Sequence, residues 1–192
     1  MKLTGRGIVL GIAVLAACAL PARADEPNYR YVEGGYLSVD LDDLDESGDN
    51  YFVAGSFGGE WWHIIAYYSN GDLGPDFDQE LWRVGFGWHG LLGDKADVIG
   101  EADYVDQSID GPGGSSDSET GYRLVGGVRW VPFQLLELDG FANFTDVGSD
   151  SDLSWEARGI INIWRLGFGA AYETFDESDQ WNAFVRFNFG RR

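Results

Sequence analysis

Two histidines, His63 and His89, carry the side chains in this sequence that titrate nearest neutral pH and bind metals most readily. Both lie in stretches that alternate apolar and polar residues, Trp61–Ser69 and Phe77–His89, which read as the two arms of a hairpin. His63 opens the first arm and His89 ends the second, so both belong to one end of the hairpin, on its less apolar face. A metal site or an acid–base pair would need such an arrangement. No nucleophile–base motif surrounds them, and Ser69 is at the far end of its strand, so two rim histidines in an aromatic-rich turn are the expected reading.

A second oxygen-rich stretch, Asp40-Leu-Asp-Asp-Leu-Asp-Glu-Ser-Gly-Asp49, has the ligand type that calcium prefers. It lacks the alternate-ligand spacing of an EF-hand loop. A solvated acidic loop is expected, with no cofactor beyond weakly held divalent cations. The third group of reactive side chains is larger. Arg83, Arg123, Arg129, Arg158, Arg165 and Arg186 alternate onto the same kind of strand face as Glu33, Glu101, Asp103, Glu137, Asp139, Glu156 and Glu173. An unpaired charge in a confined interior is costly, so these residues are expected to form a charge network if their faces turn inward. They would then fill the interior as a polar core. The rival is a narrow pore lined by charges, with inward glycines widening local gaps.

The elements that must position these groups are strands. The sequence predicts ten, at about 29–40, 50–58, 61–69, 77–89, 96–105, 120–130, 135–145, 153–162, 164–173 and 181–189, with eight as the alternative count. Trp82, Val84, Phe86 and Trp88 oppose Arg83, Gly85, Gly87 and His89; Trp164, Leu166, Phe168, Ala170 and Tyr172 oppose Arg165, Gly167, Gly169 and Glu173. Val131-Pro132-Phe133 is expected to break the ladder after the sixth strand, since proline has no amide to donate. The gaps alternate between short ones with few acids and longer ones rich in Asp, Gly and Ser.

Length and composition frame this pattern. The chain has 192 residues, enough for one domain, and 15% of them are aromatic. Residues 1–24 read as a secretion signal: Lys2 and Arg6, an apolar run from Gly7 to Leu20, and the small-x-small site Ala22-Arg23-Ala24. Leu15-Ala-Ala-Cys18 fits a lipoprotein box as the rival reading, with Cys18 lipidated. Without the leader, ten bases face thirty-two acids, a net charge of −22 that argues against nucleic acid as a partner. No run of about 18 apolar residues marks a transmembrane helix. Residues 25–192 therefore span a membrane only as a closed barrel. An aromatic-capped apolar face on each strand of about 9–11 residues is the signature of that class. The fold class is all-β, a transmembrane antiparallel up-and-down barrel.

The last strand is the most telling. In Trp181–Phe189, the residues Trp181, Ala183, Val185, Phe187 and Phe189 fall on one face and Asn182, Phe184, Arg186 and Asn188 on the other. With Tyr31–Tyr36 and Phe77–Trp88, this stretch resembles the outer-membrane β-barrels of Gram-negative bacteria, near the outer membrane protein A and opacity-type barrels. The resemblance covers all of 25–192. It implies that Trp181, Val185, Phe187 and Phe189 form the signal read by the barrel assembly machinery, although Gly190, Arg191 and Arg192 here follow the phenylalanine. It also implies a monomer, secreted to the periplasm and inserted in the cell outer membrane, with membrane lipid and lipopolysaccharide as its surroundings. The role implied is structural or surface-interacting, as in adhesion or vesicle association. A porin-like diffusion channel is the alternative, and an outer-membrane enzyme is less favoured.

Overall fold

The computed structural model describes residues 27–41, 46–72, 77–111, 115–176 and 178–189. The leader, Cys18, residues 42–45 of the Asp40–Asp49 loop and the three residues after Phe189 lie outside them. Ten strands follow one another: β1 (Tyr31–Leu41), β2 (Glu46–Gly58), β3 (Trp62–Asp72), β4 (Asp78–Leu91), β5 (Ala96–Gly111), β6 (Ser115–Phe133), β7 (Leu136–Val147), β8 (Asp150–Ile163), β9 (Leu166–Thr174) and β10 (Ser178–Asn188). Each pairs antiparallel with its neighbours in sequence, and β10 pairs with β1 from Tyr31↔Asn188 to Leu41↔Ser178, closing the barrel. The ten-strand count holds and the eight-strand alternative does not.

Alternation decides which side each residue faces. On β4, Val84 and Phe86 are 53% and 51% exposed, whereas Gly87 and His89 are buried. The outward face is apolar across the middle of the barrel and ringed by aromatics at both ends. At the end with the long hairpins, Tyr36 lies opposite Tyr51, Tyr68 opposite Trp82, Tyr104 opposite Tyr122 and Tyr172 opposite Trp181. At the end with the short turns, Trp62 lies opposite Trp88, and Phe57, Trp130, Phe133 and Trp164 are exposed around it. Smaller residues such as Val53, Val84, Ala142, Ala170 and Ala183 occupy the band between. Aromatic girdles flanking an apolar band are the mark of a barrel that sits in lipid, so the class defined here is the membrane-spanning β-barrel.

Three local features differ from the sequence expectation. β5 and β6 run for 16 and 19 residues, far past the predicted ends at 105 and 120. Beyond the girdle both faces of a strand meet water, so no hydrophobic period marks it, yet the ladder continues through Asp110↔Ser116. Pro132 does not end β6. The register against β7 shifts between Trp130 and Phe133, which leaves proline out of that ladder, and Val131 still donates to the Lys95 carbonyl at 2.8 Å. The ninth strand starts at Leu166 because Trp164 and Arg165 form the two-residue turn, with Trp164 held at a φ of 58°, the left-handed region.

Replacing Val84 by Arg puts a guanidinium into the lipid-facing band, at a cost of about 2–4 kcal/mol near the midplane, whereas Phe133→Arg at the rim costs roughly 0–1 kcal/mol. Heat-modifiable gel migration after refolding should be lost or strongly reduced for Val84→Arg and retained for Phe133→Arg.

Candidate functional site: the lumen and its charge network

The interior is packed. Leu37, Phe52, Ile160 and Phe184 form one buried apolar cluster, and Tyr29, Ile99, Val125 and Phe141 form another. The inward glycines do not open gaps between them. A Cβ at Gly87 would collide with the His63 ring, at Gly127 with Phe141, at Gly169 with the Phe184 ring and at Gly85 with the Asp103 carboxylate. Each missing side chain lets a large neighbour lie across the wall, so these glycines fill the lumen rather than widen it.

The charged residues complete the filling. Arg186 and Glu137 are fully buried. Arg186 donates through Nε to Glu33 Oε2 at 2.8 Å and through Nη1 to Glu137 Oε1 at 2.9 Å. Arg158 Nη2 donates to both Glu33 oxygens, at 2.9 and 3.1 Å. Arg129 donates to Glu137 and lies 3.6 Å from Asp139. Shared carboxylates and guanidiniums of this kind offset the cost of burying each charge, although both Asp139 oxygens and the Nε atoms of Arg129 and Arg158 are buried without a hydrogen bond. Aromatic faces cover the remaining guanidinium surface: Arg186 is 4.0 Å from the Tyr31 ring centroid and Arg158 4.8 Å from that of Phe184.

Toward the long hairpins the network loosens. Arg123 stands 3.7 Å from Asp103, 3.8 Å from Glu156 and 4.0 Å from Glu173, all beyond hydrogen-bond length. Glu173 instead accepts from Asn143 at 2.8 Å and Ser154 at 2.5 Å. Arg83 stacks on Tyr67 at 4.0 Å and makes no ion pair among the described residues. A cavity of about 90 Å³ lies among these groups, lined by Tyr67, Arg83, Asp103, Arg123 and Glu156, and reaches down to Glu33, Arg129 and Arg158 of the tighter network. Separations of this length in a polar cavity suit bridging water. Arg165 stands apart from all of these, in the β8–β9 turn with its guanidinium over Trp164 at 5.4 Å.

Both histidines point inward at the short-turn end. His63 Nε2 is 2.7 Å from Glu101 Oε1, and His89 Nδ1 is 3.6 Å from Asp97 Oδ2. Tyr29 stacks on both rings, at 4.9 and 3.6 Å between centroids, and its hydroxyl donates to Asp97 at 2.9 Å. The segment just before β1 thus enters the barrel mouth as a cork. Its carbonyl at Tyr29 accepts from Ser56 Oγ at 2.9 Å, and Asn28 donates to Asn188 at 3.1 Å. No cluster of three metal-ligating side chains is present among the described residues. Sequence reasoning missed Asp97 and Tyr29 as lumen residues, whereas Asn188 lies inward on the Arg186 face as its parity predicts. The parity that placed Glu101 and Asp103 inward applies equally to Asp97, whereas the bend that turns Tyr29 inward has no such signal.

Of the residues expected to form the assembly signal, Trp181 and Val185 face outward, Phe187 is half-buried, and Phe189, just past β10, is buried rather than outward, its amide donating to the Arg30 carbonyl at 2.7 Å. At the opposite rim, Asp72, Asp78 and Asp110 lie in one row across β3, β4 and β5. A hydrogen bond shared with Asp72 raises the Asp78 carboxyl above the ordinary carboxylate value.

No family model matches the chain, and no curated protein does. Among solved structures, it is similar to the KdgM porin in complex with disordered oligogalacturonate (9% identity, TM-score 0.49, covering 83% of this chain and 99% of that one). It is also similar to the N-terminal β-barrel domain of Pseudomonas aeruginosa OprF (11%, 0.46, covering 85% and 100%). A third is the attachment invasion locus protein Ail of Yersinia pestis (12%, 0.40, covering 84% and 97%).

Arg186→Ala should destabilise the barrel by about 3–5 kcal/mol, because Glu33 and Glu137 lose a buried partner. Arg83→Ala should cost no more than about 2 kcal/mol, the scale of a desolvated cation–π contact. Urea unfolding in detergent micelles, read by tryptophan fluorescence, compares the two; equal losses would contradict the division of the lumen into a tight and a loose half.

Proposed function

We propose that this chain is an integral outer-membrane barrel with a closed lumen, acting through its surface as a structural or interaction protein rather than as a conduit. The observation that carries this reading is the filled interior: Arg186, Glu137 and Ile160 have no exposed surface, and the Tyr29 cork closes the mouth below them. The leader and the even strand number support an orientation with both termini and the short turns in the periplasm and the long acidic hairpins outside. Lipid and lipopolysaccharide would then surround it, and the last strand would serve the assembly machinery. Divalent cations held weakly among the outer acids would bridge them to lipid phosphates. We read the protein as non-enzymatic, since the partners of His63 and His89 are carboxylates and the Tyr29 ring rather than a nucleophile facing a substrate cleft.

One observation favours the second reading, a narrow pore. The half of the lumen toward the long hairpins is loosely paired around its cavity, so a path would need to breach only the tight half. Planar-bilayer recording decides between the two. The wild-type barrel should show no steady conductance, and Arg129→Ala, which removes a guanidinium shared by Glu137, Asp139 and the Tyr29 ring, should introduce brief openings. Steady wild-type conductance at the nanosiemens scale would replace the closed barrel by the pore.

A further inference from the structure

The β5–β6 hairpin rises beyond the outer aromatic girdle with one edge uncovered. β5 is paired on both sides, with β4 as far as Asp78↔Asp110 and with β6 as far as Gly111↔Ser115. β6 is different. Its pairing with β7 begins only at Gly121↔Val147. Beyond that height the last tie to the β7 side is the Thr120 carbonyl, which accepts from Gly148 at 3.4 Å, and Ser116 to Glu119 have a partner on the β5 side and none among the described residues on the other.

The direction of the backbone groups follows from two hydrogen bonds. Val131 N–H donates toward β5, to Lys95, and the Thr120 carbonyl accepts from Gly148 on the β7 side. In an antiparallel strand the N–H and C=O of a residue point to the same side, and alternate residues point oppositely. The register between β5 and β6 is regular throughout, so Asp117 and Glu119 spend their backbone groups on β5. Ser116 and Ser118 aim theirs at the free edge. Exposed strand edges in native proteins are commonly guarded by charged side chains, Pro, a bulge or a covering segment, and here the charges are Asp117 and Glu119, which repel an acidic strand and admit a basic one. None of the residues from Ser116 to Thr120 is Lys or Pro, and all are exposed.

We propose that this edge binds an extended, basic peptide segment, which adds to the sheet as a further antiparallel strand. The added strand would take its hydrogen bonds from Ser116 and Ser118 and its specificity from the side chains on either face. On the face toward the barrel axis it meets Asp117 and Glu119; on the other it meets Ser116, Ser118 and Thr120. No Lys or Arg occurs from Tyr36 to Tyr51, from Tyr68 to Trp82, from Tyr104 to Tyr122 or from Thr145 to Trp155, so nothing in those hairpins neutralises these acids. The same charge argues against a second copy of this chain. Symmetric antiparallel pairing about Ser118 would set Asp117 opposite Glu119 of the other copy on one face, and like charges directly opposite are destabilising. The partner strand therefore carries bases at alternate positions on one face and small or β-branched residues on the other.

This inference rests on the surface-interaction reading and names the partner class for it. Its test uses the full-length barrel refolded in detergent micelles, where both ends are accessible, so failure of the outward orientation or of the closed lumen would not disturb the readout. The probe is the fluorescent heptapeptide Lys-Thr-Lys-Val-Lys-Thr-Lys, compared with the same peptide N-methylated at its two Thr amides and its Val amide, so that whichever two of the three face Ser116 and Ser118 are blocked. The methylated peptide should bind about tenfold more weakly, as expected from losing the two net hydrogen bonds to the Ser116 and Ser118 carbonyls. Ser118→Pro removes an edge N–H without touching the β5 ladder and should weaken binding of the unmodified peptide similarly, and Asp117→Asn with Glu119→Gln should weaken it further. If Ser118→Pro fails to refold, the methylated peptide on the wild-type barrel gives the same discrimination. Equal binding of the two peptides would reduce the interaction to charge attraction and overturn the proposal, as would equal binding to Ser118→Pro or no binding to the wild type at millimolar peptide.

Discussion

Backbone hydrogen bonding in hydrocarbon is the constraint on which everything else here depends. Lipid offers no partner to an N–H or C=O, so a strand that enters it must be paired on both sides along its whole buried length. The β1–β10 ladder meets that demand with eleven residues on each strand, and the tie from Phe189 to Arg30 extends it past the end of β10. Closure fixes which face is which. Apolar side chains face outward because the exterior is the greasy solvent, and the polar half of every strand is left with a narrow interior. The barrel thus confines its charges as a result of its strand count, and ten strands leave little more than the width of their own side chains.

Confinement has different consequences at the two ends of the lumen. Near the short turns, Glu33, Glu137, Arg129, Arg158 and Arg186 are close enough to share protons, and the aromatic faces of Tyr31 and Phe184 cover what the carboxylates leave. Toward the long hairpins a single guanidinium, that of Arg123, stands between three carboxylates, none within hydrogen-bond distance. Burial without tight pairing is expensive unless water remains, and the cavity beside Arg83 provides room for it. The ion pairs are therefore close on the short-turn side of the lumen and wide on the long-hairpin side.

Much of this was legible in the sequence because a period of two is the same whether the opposite face is water or a polar lumen. Trp82, Val84, Phe86 and Trp88 against Arg83 and His89 fixed the faces of β4, and Arg186 between Val185 and Phe187 did the same for β10. Three things were not legible. Arg165 keeps the parity of its strand, but a two-residue turn at Trp164 removes it from the lumen; a turn placed by tertiary closure has no local mark when no glycine or asparagine announces it. The inward glycines looked like gaps because sequence shows the missing side chain and not the ring of His63 or Phe184 that lies across it. The outer half of β6 reads as a loop because alternation vanishes where both faces are wet, and only the register carried up from Tyr104↔Tyr122 reveals the strand.

The central claim is that an interlinked network of buried ion pairs, and not apolar packing alone, holds the lumen closed. A double-mutant cycle on Glu137 and Arg186 tests it most directly, with Glu137→Gln, Arg186→Gln and the pair compared by urea unfolding in micelles. Each single change takes one of its ionic partners from a buried charge that keeps another, Glu33 for Arg186 and Arg129 for Glu137, and the double change removes both members of the pair, so the double mutant should lose less than the sum of the singles, with a coupling of roughly 1–3 kcal/mol. Strict additivity would mean that the two side chains occupy the lumen without depending on each other, and the account of its closure would fail.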